Sequence, residues 1–167
     1  MDARSALYNQ LILEHNKKPR NYGKLADASH ESEGLNPLCG DHIWVTAKVD
    51  GETIAAVTFE GKSCAICQGS ASIMTTLVKG RSVAEAEALV ERFRGVVTGA
   101  VVPDTVDKVD RYLAAFAGIS TLPARVKCAV LPWHTLHAAF QQQAVSTTEG
   151  NADPIPGSGH APGPGPM

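Results

Sequence analysis

The residues in this chain best equipped for chemistry are four cysteines, Cys39, Cys64, Cys67 and Cys128. Asp41 follows the first of them in Cys39-Gly40-Asp41, and Cys64-Ala65-Ile66-Cys67 is a C-x-x-C pair. Thiolates and a carboxylate complete a four-coordinate zinc shell, while a helix N-terminus or a nearby cation lowers a thiol's pKa and favours metal binding or nucleophilic attack. The C-x-x-C pair alone fits half a zinc site, a redox pair or a chance pairing at a helix start; without a second pair or a spaced histidine pair it makes no zinc finger. A free cysteine also serves as a small buried hydrophobe. Two disulfides are arithmetically available, but 167 residues bury a core without staples and nothing points to an oxidising compartment. Thiolate chemistry or metal ligation is the better reading.

The histidines say less. His15 and His42 lie near elements that carry candidate ligands, and His134 and His137 are spaced i,i+3 on a helical stretch where they can in principle meet a metal. Two histidines on a helix surface are usually only that. His30 and His160 fall in loop or tail and carry no reading.

The elements that must position these groups follow from periodicity. Leu7, Leu11, Ile12 and His15 recur at helical spacing, and Pro19 closes that helix. Residues 21–38 are mostly small or polar and read as a long ordered loop. Ile43, Val45, Ala47 and Val49 alternate with polar residues as a strand, Asp50-Gly51 turns it, and Thr53 to Phe59 returns. A short third strand over 62–66 and a helix over about 70–79 follow, then a capping box at Ser82 and Glu85 opens a helix that Gly95 to Pro103 interrupts. Asp104 is expected to cap a helix with Val106, Val109, Leu113 and Phe116 on one side, and Pro123 starts another that Pro132 kinks or divides. Trp44 and Trp133 are expected in the core. Each chemistry-bearing residue thus falls at an element boundary, where ligands from different elements can converge.

Composition limits the classes of function. Hydrophobic residues make up 44% and charged residues 19%, so the chain folds, and a net charge of −2 leaves no basic surface for nucleic acid. No apolar run reaches the ~20 residues of a membrane span, and no signal-peptide core follows Met1, so the protein is expected in the cytoplasm without membrane contact. From Ser146 onward the chain is rich in Ser, Thr, Gly and Pro, which predicts one domain over 1–145 and a disordered tail over 146–167.

Several ordered motifs carry a family resemblance. Leu7-Tyr8 to His15, Pro19-Arg20-Asn21-Tyr22-Gly23, Asn36-Pro37-Leu38-Cys39-Gly40-Asp41, Cys64-Ala65-Ile66, Val78-Lys79-Gly80 and Arg125-Val126-Lys127-Cys128-Ala129 together resemble the U-type iron–sulfur assembly proteins over roughly residues 5–143. The wording around Cys128, with Lys127 where the IscU-related scaffold branch has histidine, resembles the SufU branch. This resemblance implies an α+β fold in which a small antiparallel sheet packs against several helices. It also implies a site of Cys39, Asp41, Cys64 and Cys128 that binds Zn2+, with Cys39 accepting persulfide sulfur from a SufS-type cysteine desulfurase and other Suf proteins as further partners. The scaffold branch implies the alternative of a transient [2Fe–2S] cluster or iron, and a purely structural zinc is the third reading. Arg125 and Lys127 are auxiliary candidates that would offset the negative charge of the site. Two residues depart from the pattern: Cys67 stands where the family usually has serine, and Ser63 where it has glycine. Cys67 is therefore a candidate substitute ligand, a second sulfur acceptor or an incidental thiol.

Overall fold

A computed structural model describes residues 3–104 and 106–148. Its elements run α1 (Ala3–Lys17), β1 (His30–Asn36), β2 (Asp41–Asp50), β3 (Thr53–Lys62), α2 (Ala65–Val78), α3 (Val83–Thr98), α4 (Lys108–Ala114), a 3-10 turn at Ala117–Ile119, α5 (Pro123–Phe140) and β4 (Val145–Thr147). The sheet order is β3-β2-β1-β4. The first three strands pair antiparallel, as the α+β expectation requires, and β4 adds a parallel edge through Glu33 with Val145 and Leu35 with Thr147. Parallel pairing is the part the expectation of a purely antiparallel sheet lacked.

The alternation in β2 buries Ile43, Val45 and Ala47, and α5 lies across β1 and β2 on that inner face. The approach is close: a Cβ on Gly34 of β1 would sit 2.0 Å from Thr135 Oγ1 of α5, so only glycine fits there. Trp133 stacks on Phe93 of α3 with ring centroids 4.6 Å apart, and Phe116 meets Phe93 edge-on. α1 packs on α2 and buries Ile12 and His15, while the side chain of Leu7 lies outside the described residues.

Several sequence expectations need correction. The 21–38 stretch holds strand β1, hidden from a hydrophobicity reading because its inward positions are Ser32, Gly34 and Asn36. No third short strand spans 62–66: β3 extends to Lys62, and α2 begins at Ala65, five residues before the expected start. Gly95 does not interrupt α3, which runs to Thr98 and ends on the left-handed Gly99. Asp107 rather than Asp104 caps α4, leaving Val106 exposed. Asp104 instead donates its backbone N–H to the Asp110 carboxylate, which Arg92 also grips.

α5 runs as one helix through Pro132. The proline removes a helical hydrogen bond, but Ser70 Oγ of α2 donates to the Ala129 carbonyl at 2.6 Å and accepts from Trp133 Nε1 at 3.1 Å, bracing that turn from outside. Trp44 is half-buried on the outer sheet face, stacked on His42, and is not a core residue; Trp133 is. Ser146 and Thr147, assigned by composition to the tail, pair with Gly34 and Leu35, and residues 149–167 lie outside the described residues.

Candidate metal centre

A four-residue turn sets the first two candidate ligands. β1 ends at Asn36 and β2 starts at Asp41, which face each other as a strand pair, and the Cys39 N–H donates to the Asn36 carbonyl at 3.2 Å. Gly40 takes φ +72°, a left-handed value that lets the chain reverse directly after Cys39. Cys39 therefore sits exposed on the turn while Asp41 is buried on the strand.

The other two come from helices. Cys64 is the N-cap of α2, its sulfur accepting from the Cys67 N–H at 3.4 Å. Its own N–H donates to Asp41 Oδ1 at 2.8 Å, and its sulfur lies 3.9 Å from Asp41 Oδ2. Cys128, buried in the second turn of α5, has its sulfur 3.1 Å from Cys39 Sγ. One ligand atom each from Cys39, Asp41 and Cys128 lies within 4.8 Å of the others, and Cys64 adjoins this trio through Asp41. Tetrahedral zinc–sulfur bonds of about 2.3 Å put ligand atoms roughly 3.8 Å apart, a spacing near that of the Cys39, Asp41 and Cys128 trio; Cys64 Sγ lies outside this grouping and must close on it to complete a four-ligand shell.

Electrostatics distinguish the thiols. A hydrogen bond with the Cys128 thiol, helped by backbone N–H groups at the start of α2, brings Cys64 down to about 7. Cys128 moves far upward for the reciprocal reason, reinforced by burial and by Cys39. The two thiols titrate as one coupled pair, in which Cys64 is the favoured thiolate. Burial, followed by the charge of Asp41, pushes Cys67 well up.

Two residues that the motif reading left unassigned complete the shell. Asn36, fully buried, donates from Nδ2 both to Asp41 Oδ2 at 3.1 Å and to Cys128 Sγ at 3.4 Å. Its Oδ1 accepts from the Thr148 hydroxyl at 3.0 Å. Asn36 stood in the quoted Asn-Pro-Leu-Cys-Gly-Asp run, but no one-dimensional signal shows a carboxamide aimed at two candidate ligands from different elements.

Arg125 and Lys127 precede Cys128 on α5. Arg125 is exposed and Lys127 half-buried in the first turns of α5, and among the described residues no ion pair joins Arg125 to Asp41. His15 Nδ1 meets Ser72 Oγ at 2.6 Å, His42 pairs with Glu33, and His137 pairs with Glu87 at 2.7 Å. His134 is held to about 4 by burial, with Nε2 lacking a hydrogen-bond partner. None of these histidines joins a metal-competent group among the described residues.

Comparison with known proteins places this geometry. Zinc-dependent sulfurtransferase SufU of Bacillus subtilis (strain 168) is 39% identical over 137 residues, spanning 82% of this chain and 91% of that protein. The iron–sulfur cluster assembly scaffold protein IscU of Streptococcus pyogenes serotype M1 is 36% identical over 138 residues, 83% of this chain and 85% of its own length. A crystal structure from Fervidobacterium islandicum AW-1, described as a cluster assembly scaffold protein for the SUF system, superposes with a TM-score of 0.73 at 32% identity, covering 80% of this chain and 96% of that one. The NifU-like N terminal domain model matches residues 7–129, a span that contains Cys39, Asp41, Cys64 and Cys128, and the chain belongs to that family.

Proposed function

We propose that Cys39, Asp41, Cys64 and Cys128 hold one zinc ion and that the chain accepts persulfide sulfur from a cysteine desulfurase in iron–sulfur cluster assembly, with Cys39 as acceptor. Three sulfurs and one carboxylate oxygen form a donor set that suits tetrahedral zinc, and the zinc-dependent sulfur transfer of the B. subtilis relative supports the same chemistry. One contrast within the cluster carries the assignment of roles: Cys39 is exposed, whereas Asp41 and Cys128 are buried.

When bound, the ion keeps its cysteine ligands deprotonated without redox chemistry of its own. The Cys39 thiolate attacks the outer sulfur of the desulfurase persulfide; a Cys39 persulfide forms, the enzyme's sulfur–sulfur bond breaks, and its cysteine departs as thiolate. Cys39 can swing outward because only the turn over 37–40 must adjust, while the Asn36–Asp41 strand pair stays closed. Cys128 is fixed inside α5 and cannot leave so cheaply. The proposed partner is a desulfurase of the SufS type and the proposed compartment the cytoplasm. No helix among the described residues is long and apolar enough to cross a membrane.

Mass mapping after anaerobic reaction with a cysteine desulfurase and cysteine tests the acceptor: the additional sulfur is expected on Cys39 and absent from Cys39→Ser. An adduct on Cys128 or Cys67 with Cys39 unmodified would overturn the assignment. The 36% identity to the S. pyogenes scaffold protein favours a second reading, assembly of a [2Fe–2S] cluster on the same residues. Metal analysis separates the two, since about one zinc in colourless protein fits sulfur transfer and a brown chromophore in anaerobically purified protein fits the scaffold.

A further inference from the structure

The function proposed above leaves Cys67 unused, yet its placement is specific. Cys64 is the N-cap of α2 and Cys67 the third residue of the helix, with the Cys67 backbone N–H donating to the Cys64 sulfur at 3.4 Å. An N-cap and its N3 residue have Cα atoms roughly 5–6 Å apart, inside the range that a disulfide spans without backbone movement. Cys67 is completely buried, in the first turn of the helix that Cys64 caps. Cys64 is only half-buried. The pair thus consists of an outer sulfur that a small molecule can reach and an inner one that it cannot.

We propose that Cys64 and Cys67 form a dithiol–disulfide couple that reacts with low-molecular-weight disulfides. The Cys64 thiolate attacks one sulfur of the small disulfide RSSR, making a mixed disulfide and expelling RS⁻. The Cys67 thiol, losing its proton to the departing group, then attacks the Cys64 sulfur, closes the Cys64–Cys67 bond and expels the second thiol. Two electrons pass from the two cysteines to RSSR, which leaves as one RSH and one RS⁻ that takes its proton from water.

Within the cluster this outcome is particular to Cys64. The Cys39 and Cys128 sulfurs adjoin each other, whereas Cys64 has a fourth thiol on the helical turn it caps. Closure withdraws one thiolate from the metal set and leaves Cys39, Asp41 and Cys128, so metal loss accompanies it. The rival product is a Cys39–Cys128 disulfide, whose sulfurs are 3.1 Å apart.

The full-length, zinc-loaded chain incubated anaerobically with oxidised glutathione, then alkylated and digested with trypsin, decides between them. Cys64 and Cys67 share the peptide of residues 63–79, which carries neither Cys39 nor Cys128. That peptide is expected two hydrogens lighter, unalkylated and free of glutathione, with release of zinc to a chromogenic chelator in step. In Cys67→Ser, and in Cys67→Ala should serine disturb the buried site, glutathione is expected to persist on Cys64. A lasting glutathione adduct on wild-type Cys64 with Cys67 alkylated would overturn the proposal, as would a cross-link between the Cys39 and Cys128 peptides with 63–79 fully alkylated. Neither result bears on sulfur loading of Cys39, which is read separately with the desulfurase.

Discussion

Asn36 joins the two chemistries of the centre. One carboxamide restrains a candidate oxygen ligand on β2 and a candidate sulfur ligand on α5, and it is itself oriented by Thr148. Groups that orient metal ligands typically account for 10–100-fold in affinity. Asn36→Ala is therefore expected to weaken zinc binding by about tenfold or more in chelator competition, and to leave both partners buried without that donor. Thr148→Val removes only the outer restraint and is expected to cost less than Asn36→Ala. Equal affinities for Asn36→Ala and wild type would show that Asp41 and Cys128 are positioned by the backbone alone. The candidate ligands were named through the family resemblance, whereas cysteine and aspartate types and spacing alone marked only a possible metal site. Asn36 was not among them, because a buried amide has meaning only through what it touches.

The same division holds for the elements. β2 and β3 were legible from alternation, and α3 from its capping box, because the physical cause of each lies within the segment. β1 was not, since Ser32 and Asn36 face inward and Gly34 is required by a helix a hundred residues further along the chain. The unbroken course of α5 through Pro132 likewise depends on Ser70, a residue of α2. The α3–α5 packing carries a titration that periodicity does not reveal. Burial first, with Arg94 adding to it, lowers His134 from 6.5 to about 4, so the folded state disfavours its charged form. Between those values the unfolded chain binds more protons than the folded one, and stability falls as pH drops from about 6.5 towards 4. The loss from His134 is on the order of 3 kcal/mol across that window, and burial shifts His15 in the same direction. His134→Leu is expected to shrink the difference between urea midpoints measured near neutral pH and near about pH 4.5. An unchanged difference would place the acid sensitivity elsewhere.

At the scale of the whole molecule, β4 connects the last described residues to the centre. It extends the sheet beside β1, with Glu33 N–H donating to the Ala144 carbonyl at 2.8 Å and Thr148 N–H to the Leu35 carbonyl at 3.0 Å, and Thr148 then reaches Asn36. Beyond it, residues 149–167 contain one isoleucine, two alanines and one methionine among Gly, Pro and polar residues, a composition from which little apolar packing is expected. Two truncations should therefore behave differently. A chain ending at Thr148 is expected to keep the full-length thermal midpoint, zinc affinity and response to a desulfurase. A chain ending at Ala144 loses the backbone hydrogen bonds of β4, about 2 kcal/mol in total, or a midpoint lowered by about 5 °C for a chain of this size. It also loses the hydroxyl that orients Asn36, so zinc is held less tightly even below the new midpoint. Loss of zinc affinity without a lower midpoint would mean that β4 serves the centre rather than the sheet. A chain ending at Thr148 that loses as much stability as the shorter one would show that residues 149–167 pack on the domain despite their composition.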